Sequence, residues 1–214
     1  MRYRNLCFDM DGTLLKTDRG IVTAMKYAAD IMGIEDEIPY DRPELYIGPS
    51  VQDFCIDVMG WDQATTDRFN ELMVEKSQEV QATMSEPYGG IIELLQETKK
   101  AGMRNFICTA KAENNALCLA EHFGLLPHIE SIAGAHLAGD GKTLILRQLI
   151  EAQNLAVEET VMIGDRYTDL EGGVANGTHT VGVLFGYGSH DELHPLKPAA
   201  ICETVADLRA FLLS

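Results

Sequence analysis

Five short apolar runs punctuate the chain, at 5–8, 104–108, 129–133, 160–163 and 180–184. They are continuous rather than alternating. That is the pattern of strands whose two faces are both covered by helices. Helical periodicity separates the later runs and predicts helices over 87–101, 114–123, 143–153 and 169–175. Gly102, Gly124 and Gly177 supply stop signals. Strand and helix in alternation predict an α/β fold, an open doubly wound parallel sheet.

The gap between the first two runs breaks this rhythm. About 70 residues intervene where an ordinary crossover is far shorter. Helices are predicted at 20–32, 51–59 and 67–84, with Pro39, Pro43 and Pro49 as punctuation. The reading is a small helical cap over the carboxyl edge of the sheet. The expected division is 1–15 and 86–214 for the α/β core and 16–85 for the cap. No internal repeat is visible.

Composition narrows the class. The 214 residues are 46% apolar and 23% charged, ordinary globular usage that excludes disorder and fibrous architectures. Thirty-three acids against 17 bases give a formal charge of −16, which disfavours nucleic-acid and membrane-surface binding. A small anionic substrate stays possible, because a local cation can reverse the sign inside a pocket. No run approaches the roughly 18 apolar residues of a membrane span. Asp9 and Asp11 interrupt the N-terminal run before a signal-peptide core can form. The cysteines at 7, 55, 108, 118 and 202 are odd in number and contain no CxxC pair, so a disulfide framework or zinc site is not expected. A reducing cytoplasm is the expected location.

Ligands of open α/β sheets bind outside the carboxyl ends of the strands. After the first run come Asp9, Asp11 and Gly12; after the second, Thr109, Ala110 and Lys111; after the fourth, Asp165 and Asp169. Gly139-Asp140-Gly141-Lys142 opens a helix beyond the third. Four carboxylates, a hydroxyl and a lysine are thus expected on one water-accessible edge. That set, without histidine or thiolate, suits a hard cation such as Mg²⁺ and points to phosphoryl transfer. A calcium loop starting at Asp9 is excluded by register, since Leu14 and Gly20 would fall where Gly and Glu are needed.

Asp9-Met10-Asp11-Gly12-Thr13-Leu14, Phe106-Ile107-Cys108-Thr109, Lys142 and Gly164-Asp165-Arg166-Tyr167-Thr168-Asp169 together resemble, in order and spacing, the four motifs of the haloacid dehalogenase superfamily. Pro87-Tyr88-Gly89-Gly90, 120–125 and 181–188 are similar to its phosphoglycolate phosphatase and 5'-nucleotidase-like branch. The resemblance implies a Mg²⁺-dependent phosphomonoesterase acting on a small phosphorylated metabolite through an aspartyl-phosphate. It implies Asp9 as nucleophile and metal ligand, Asp11 as general acid/base and carbonyl ligand, and Asp165 and Asp169 as further ligands. Thr109, Ala110, Gly12 and Lys142 would bind phosphate, with Lys142 also steadying Asp9 and Lys111 a rival for that lysine role. A phosphomutase of the same superfamily and a non-catalytic phosphate-binding module are the alternatives. A monomer or homodimer is expected.

His190 and His194 imitate a zinc-protease spacing, but Asp191 stands where that motif needs Glu, and Pro195 follows. A surface turn is the better reading. Tyr46-Ile47-Gly48-Pro49-Ser50 is either a substrate-facing loop or a plain helix-breaking turn. Arg42 is the nearest cap cation for reading a substrate anion.

Overall fold

A computed structural model of the chain describes residues 3–136 and 140–214. The chain runs β1 (Asn5–Phe8), β2 (Leu15–Lys16), α1 (Asp18–Met32), α2 (Val51–Asp53), α3 (Gln63–Met84), β3 (Glu86–Pro87), α4 (Ile91–Lys100) and β4 (Arg104–Ala112). It continues through α5 (Glu113–His122), β5 (Ser131–Ala135), α6 (Lys142–Gln153), β6 (Thr160–Gly164), α7 (Tyr167–Ala175), β7 (His179–Val183), α8 (His190–Leu193), β8 (Ala200–Cys202) and α9 (Val205–Leu213). Six strands form one parallel sheet in the order β5-β4-β1-β6-β7-β8. The order reverses at β1, which lies between β4 and β6 and puts the ligand-binding switch point at its carboxyl end.

The unbroken apolar runs have their cause in the two buried faces. Leu6, Phe8, Ile107, Val161 and Ile163 point to one side, where residues of α4, α5 and α9 meet them. Cys7, Phe106, Cys108 and Met162 point to the other, against Ile145, Leu146 and Leu149 of α6. Neighbouring residues therefore alternate between two apolar layers, and no polar position is needed.

The segment between β2 and β3 has its own apolar cluster. Ala24, Met25 and Ala28 of α1 pack with Phe69, Leu72 and Met73 of α3 and with Ile47 and Phe54 between them. The chain enters and leaves this segment through β2 and β3, which pair antiparallel with Leu15 opposite Pro87 and Lys16 opposite Glu86. Arg166 at the start of α7 holds the two parts together. It is buried, and its guanidinium donates to Glu192 and to the Glu44 carbonyl, both at 2.8 Å.

Most expected elements appear with small shifts of their ends. Pro87 belongs to β3 rather than to the following helix, because Gly90, at φ 89°, makes the turn that opens α4. The predicted helix at 51–59 is α2, capped by Ser50, running into one π-helical turn at Phe54–Val58. The sixth strand, β8, and α9 were not expected. A three-residue edge strand carries no periodic signal. No helix among the described residues is long and apolar enough to cross a membrane.

Candidate active site

The site is built from four strand ends. Beyond β1 the chain makes one tight loop in which the Met10 carbonyl accepts the N–H groups of Thr13, Leu14 and Leu15. This loop carries Asp9, Asp11 and Gly12. Gly12 sits at φ 82°, and a Cβ there would lie 2.3 Å from Asp165 Oδ2, so the position needs a residue without a side chain. Its N–H is donated to the Leu15 carbonyl, and it is not on the cavity wall. What Gly12 gives the site is room for Asp165. Gly164, ending β6, does the same for Asp169, whose carboxylate would lie 2.1 Å from an added Cβ.

Asp9, Asp165 and Asp169 meet: one oxygen from each lies within 4.8 Å of the others. All three are buried, at 3%, 0% and 1% exposure. The expectation of a water-accessible cluster is therefore corrected for Asp165 and Asp169, which lie behind the cavity while Asp9 and Asp11 line it. The Asp11 carboxylate stays outside the trio and pairs with Lys111 Nζ at 3.2 Å. Gly139, expected beside Lys142, lies outside the described residues.

Lys142, the first residue of α6, is the inner counterion. Its Nζ has three oxygens around it: Asp9 Oδ1 at 2.6 Å, Asp169 Oδ1 at 2.8 Å and the Cys108 carbonyl at 2.9 Å. Lys111 lies further out, between Asp11 and Gln81 Oε1 of α3 at 3.1 Å. The two lysines thus have separate places, one beside Asp9 and one bridging Asp11 to the helical segment. Thr109 and Ala110 line the cavity within the stretch of β4 where pairing with β5 jumps from Cys108 to Ala112. Such an irregularity re-aims side chains at a strand end.

One lysine amid three buried carboxylates leaves negative charge in excess. Burial pushes the Asp9 carboxyl up to about 7; Lys142 opposes this, and the charges of Asp169 and Asp11 add to it. Burial also raises Asp165 well above the usual carboxylate range, with Asp169 and Asp9 adding. Burial alone would lower Lys142; Asp169 and Asp9 outweigh it and hold the ammonium charged. Asp11 Oδ1 is buried without a hydrogen-bond donor, and a single lysine serves both Asp9 and Asp169. Three converging carboxylates with one lysine among them, and no sulfur or imidazole in the set, fit a hard divalent cation.

Tyr187 was missed by sequence reasoning. Its backbone N–H donates to Asp165 Oδ2 at 2.7 Å, while its hydroxyl accepts the N–H groups of Thr17 and Asp18 at 2.8 and 3.0 Å. It joins the acidic cluster to the start of α1, which has no side-chain cap of its own. Its place inside a Gly-rich stretch was the one available signal. The Tyr46–Ser50 stretch does line the cavity. Arg42 does not; it pairs with Glu44 at 3.0 Å. His190 and His194 stack on each other at 5.0 Å, away from the acidic cluster.

A family model described as haloacid dehalogenase-like hydrolase matches residues 6–183. The 5'-nucleotidase of Pseudomonas aeruginosa is 34% identical over 214 positions, covering 99% of this chain and 96% of that protein. The tyrosine-protein kinase PtkA of Mycobacterium tuberculosis is 31% identical over 210 positions, covering 96% of this chain and 71% of that protein. A crystal structure described as a predicted phosphatase from Clostridium acetobutylicum superposes with a TM-score of 0.94 at 26% identity, covering 100% of this chain and 99% of that one.

Proposed function

Because the chain belongs to the haloacid dehalogenase-like hydrolase family, we propose that it hydrolyses a small phosphorylated metabolite with Mg²⁺ and an aspartyl-phosphate on Asp9. The observation that carries this is the meeting of Asp9, Asp165 and Asp169 beside Lys142, with Asp9 and Lys142 facing a cavity. Asp9, Asp165, Asp169 and the backbone carbonyl of Asp11 would hold the ion. When bound, it would offset carboxylate charge and polarise phosphoryl oxygens.

The steps follow from the placed side chains. Lys142 fixes one oxygen of Asp9 and keeps the group oriented. Thr109 and Ala110 hold phosphate oxygens at the irregular end of β4. The Asp9 carboxylate attacks phosphorus, the ester P–O bond breaks, and Asp11 gives its proton to the departing oxygen. Asp11 then takes a proton from water, whose oxygen attacks the same phosphorus. The Asp9–phosphorus bond breaks and inorganic phosphate leaves. Lys111, 3.2 Å from the Asp11 carboxylate, keeps that group turned towards the cavity. In this reading residues 16–85 act as a cap that closes over the phosphoryl group and excludes bulk water.

A metabolite phosphoester screen with Mg²⁺ and with EDTA tests the proposal. Phosphate release that depends on the ion, together with loss of that release in Asp9→Asn, is the expected result. Conversion of a sugar phosphate to its isomer without free phosphate would move the reading to a mutase. Transfer of the phosphoryl group to a tyrosine acceptor would move it towards the activity for which PtkA is named.

A further inference from the structure

The cavity is about 320 Å³ and has two chemically different ends. The phosphate end holds Asp9, Asp11, Lys111 and Lys142. The far end is walled by the helical segment. Ile47, Met73 and Val74 give it an apolar side, and Asn70 and Ser77 give it neutral hydrogen-bonding groups, while Gln81 accepts from Lys111 where the two ends join.

Its cations are all committed. Lys142 faces Asp9 and Asp169, and Lys111 faces Asp11 and Gln81. His136 at the rim stands 3.7 Å from Glu113. Among the described residues no other basic side chain lines the cavity. In the helical segment Arg42, Arg68 and Lys76 pair with Glu44, Glu71 and Glu79 instead. Arg166 lies buried under Gly48, bound to Glu192 and the Glu44 carbonyl. Residues 137–139 are Leu, Ala and Gly and carry no charge.

Charge then decides what fits. Asp9 and Asp11, with Asp165 and Asp169 behind them, oppose the two ammonium groups, Asp140 adds a further acid to the lining, and a divalent ion offsets two of these negative charges without leaving a positive excess. The phosphate dianion of a substrate is already the excess charge. A second anion on the leaving group would lose its water and find only amides, hydroxyls and hydrocarbon in exchange. Resting on the phosphatase reading above, we infer that the enzyme is selective for phosphomonoesters whose leaving group carries no charge, a nucleoside or a sugar. It discriminates against leaving groups that are anionic, as in phosphoglycolate or pyrophosphate. Asn70 and Ser77 hydrogen-bond the hydroxyls of such a group, and Met73 and Val74 pack on its apolar face.

Two measurements test this. The first is kcat/KM under Mg²⁺ for nucleoside monophosphates, sugar phosphates, phosphoglycolate, pyrophosphate and p-nitrophenyl phosphate. At least one nucleoside or sugar ester is expected to exceed both anionic-leaving-group substrates by tenfold or more. Asn70→Lys is expected to narrow that ratio by tenfold or more in favour of phosphoglycolate. Wild-type preference for phosphoglycolate or pyrophosphate overturns the inference. The second is calorimetric binding of the same compounds to the Asp9→Asn protein. If no ester is turned over, p-nitrophenyl phosphate included, the phosphatase reading fails, and binding alone judges the cavity. Tighter binding of an uncharged-leaving-group ester then upholds the charge argument, and equal or reversed binding overturns it.

Discussion

The two halves of the cavity are built on opposite terms. At the sheet edge, charges lie almost touching; Lys142 alone is shared by Asp9, Asp169 and the Cys108 carbonyl. On the helical side the wall is amide, hydroxyl and hydrocarbon, carried by α3 and the Tyr46–Ser50 stretch. Charge packed this densely tolerates little displacement, because each carboxylate depends on its neighbours for neutrality. A wall of neutral groups can be altered one residue at a time at modest cost. Under the proposed function, reaction chemistry belongs to the sheet and substrate choice to the helices.

The sharpest way to break that assignment is Asp9→Asn. Turnover should drop by about 10⁴-fold or more with the circular dichroism spectrum unchanged; substantial residual activity would remove the covalent route. Asp11→Asn should lower kcat by about 10²- to 10⁴-fold while an inert phosphate ester still binds. The loss should shrink for p-nitrophenyl phosphate, whose leaving group needs little protonation.

The separateness of the two apolar clusters can be tested by Leu72→Ala, in the helical cluster. A cost of about 2–5 kcal/mol is expected, with an early unfolding step that leaves the sheet intact. A single cooperative transition lowered as a whole would show instead that the parts melt as one.

The acidic cluster makes a prediction about pH. In the ion-free fold Asp9 keeps its proton up to about 7, and Asp165 is shifted the same way. The unfolded chain releases these protons at ordinary carboxylate values, near 4. Across that window the folded state holds more protons, so ion-free stability should fall as pH rises from about 4 to about 7. Mg²⁺ should restore stability above pH 7, where the carboxylates are ionised. Thermal unfolding in EDTA at pH 5 and pH 7.5 checks the sign, and a higher midpoint at 7.5 would refute it. The smallest expected effect is Tyr187→Phe. It removes an acceptor from Thr17 and Asp18 at the junction of the two parts and should cost about 1–2 kcal/mol.

The sequence by itself determined five of the six strands of the sheet, the helices between them and the residues at its carboxyl edge. Continuous apolar runs and strand-end carboxylates are local features, and a parallel sheet brings the ends of its strands to one side whatever the loops do. Only the tertiary structure decided how deep those carboxylates lie, since burial of Asp165 and Asp169 depends on neighbours far away in the chain. It also separated Lys142 from Lys111, gave Gly12 a spacing task, and revealed Tyr187 and Arg166 as ties between the two parts. Most of these rest on groups meeting from distant parts of the chain, such as Asp9 with Lys142, 133 positions apart. No periodicity in a linear sequence records such a distance.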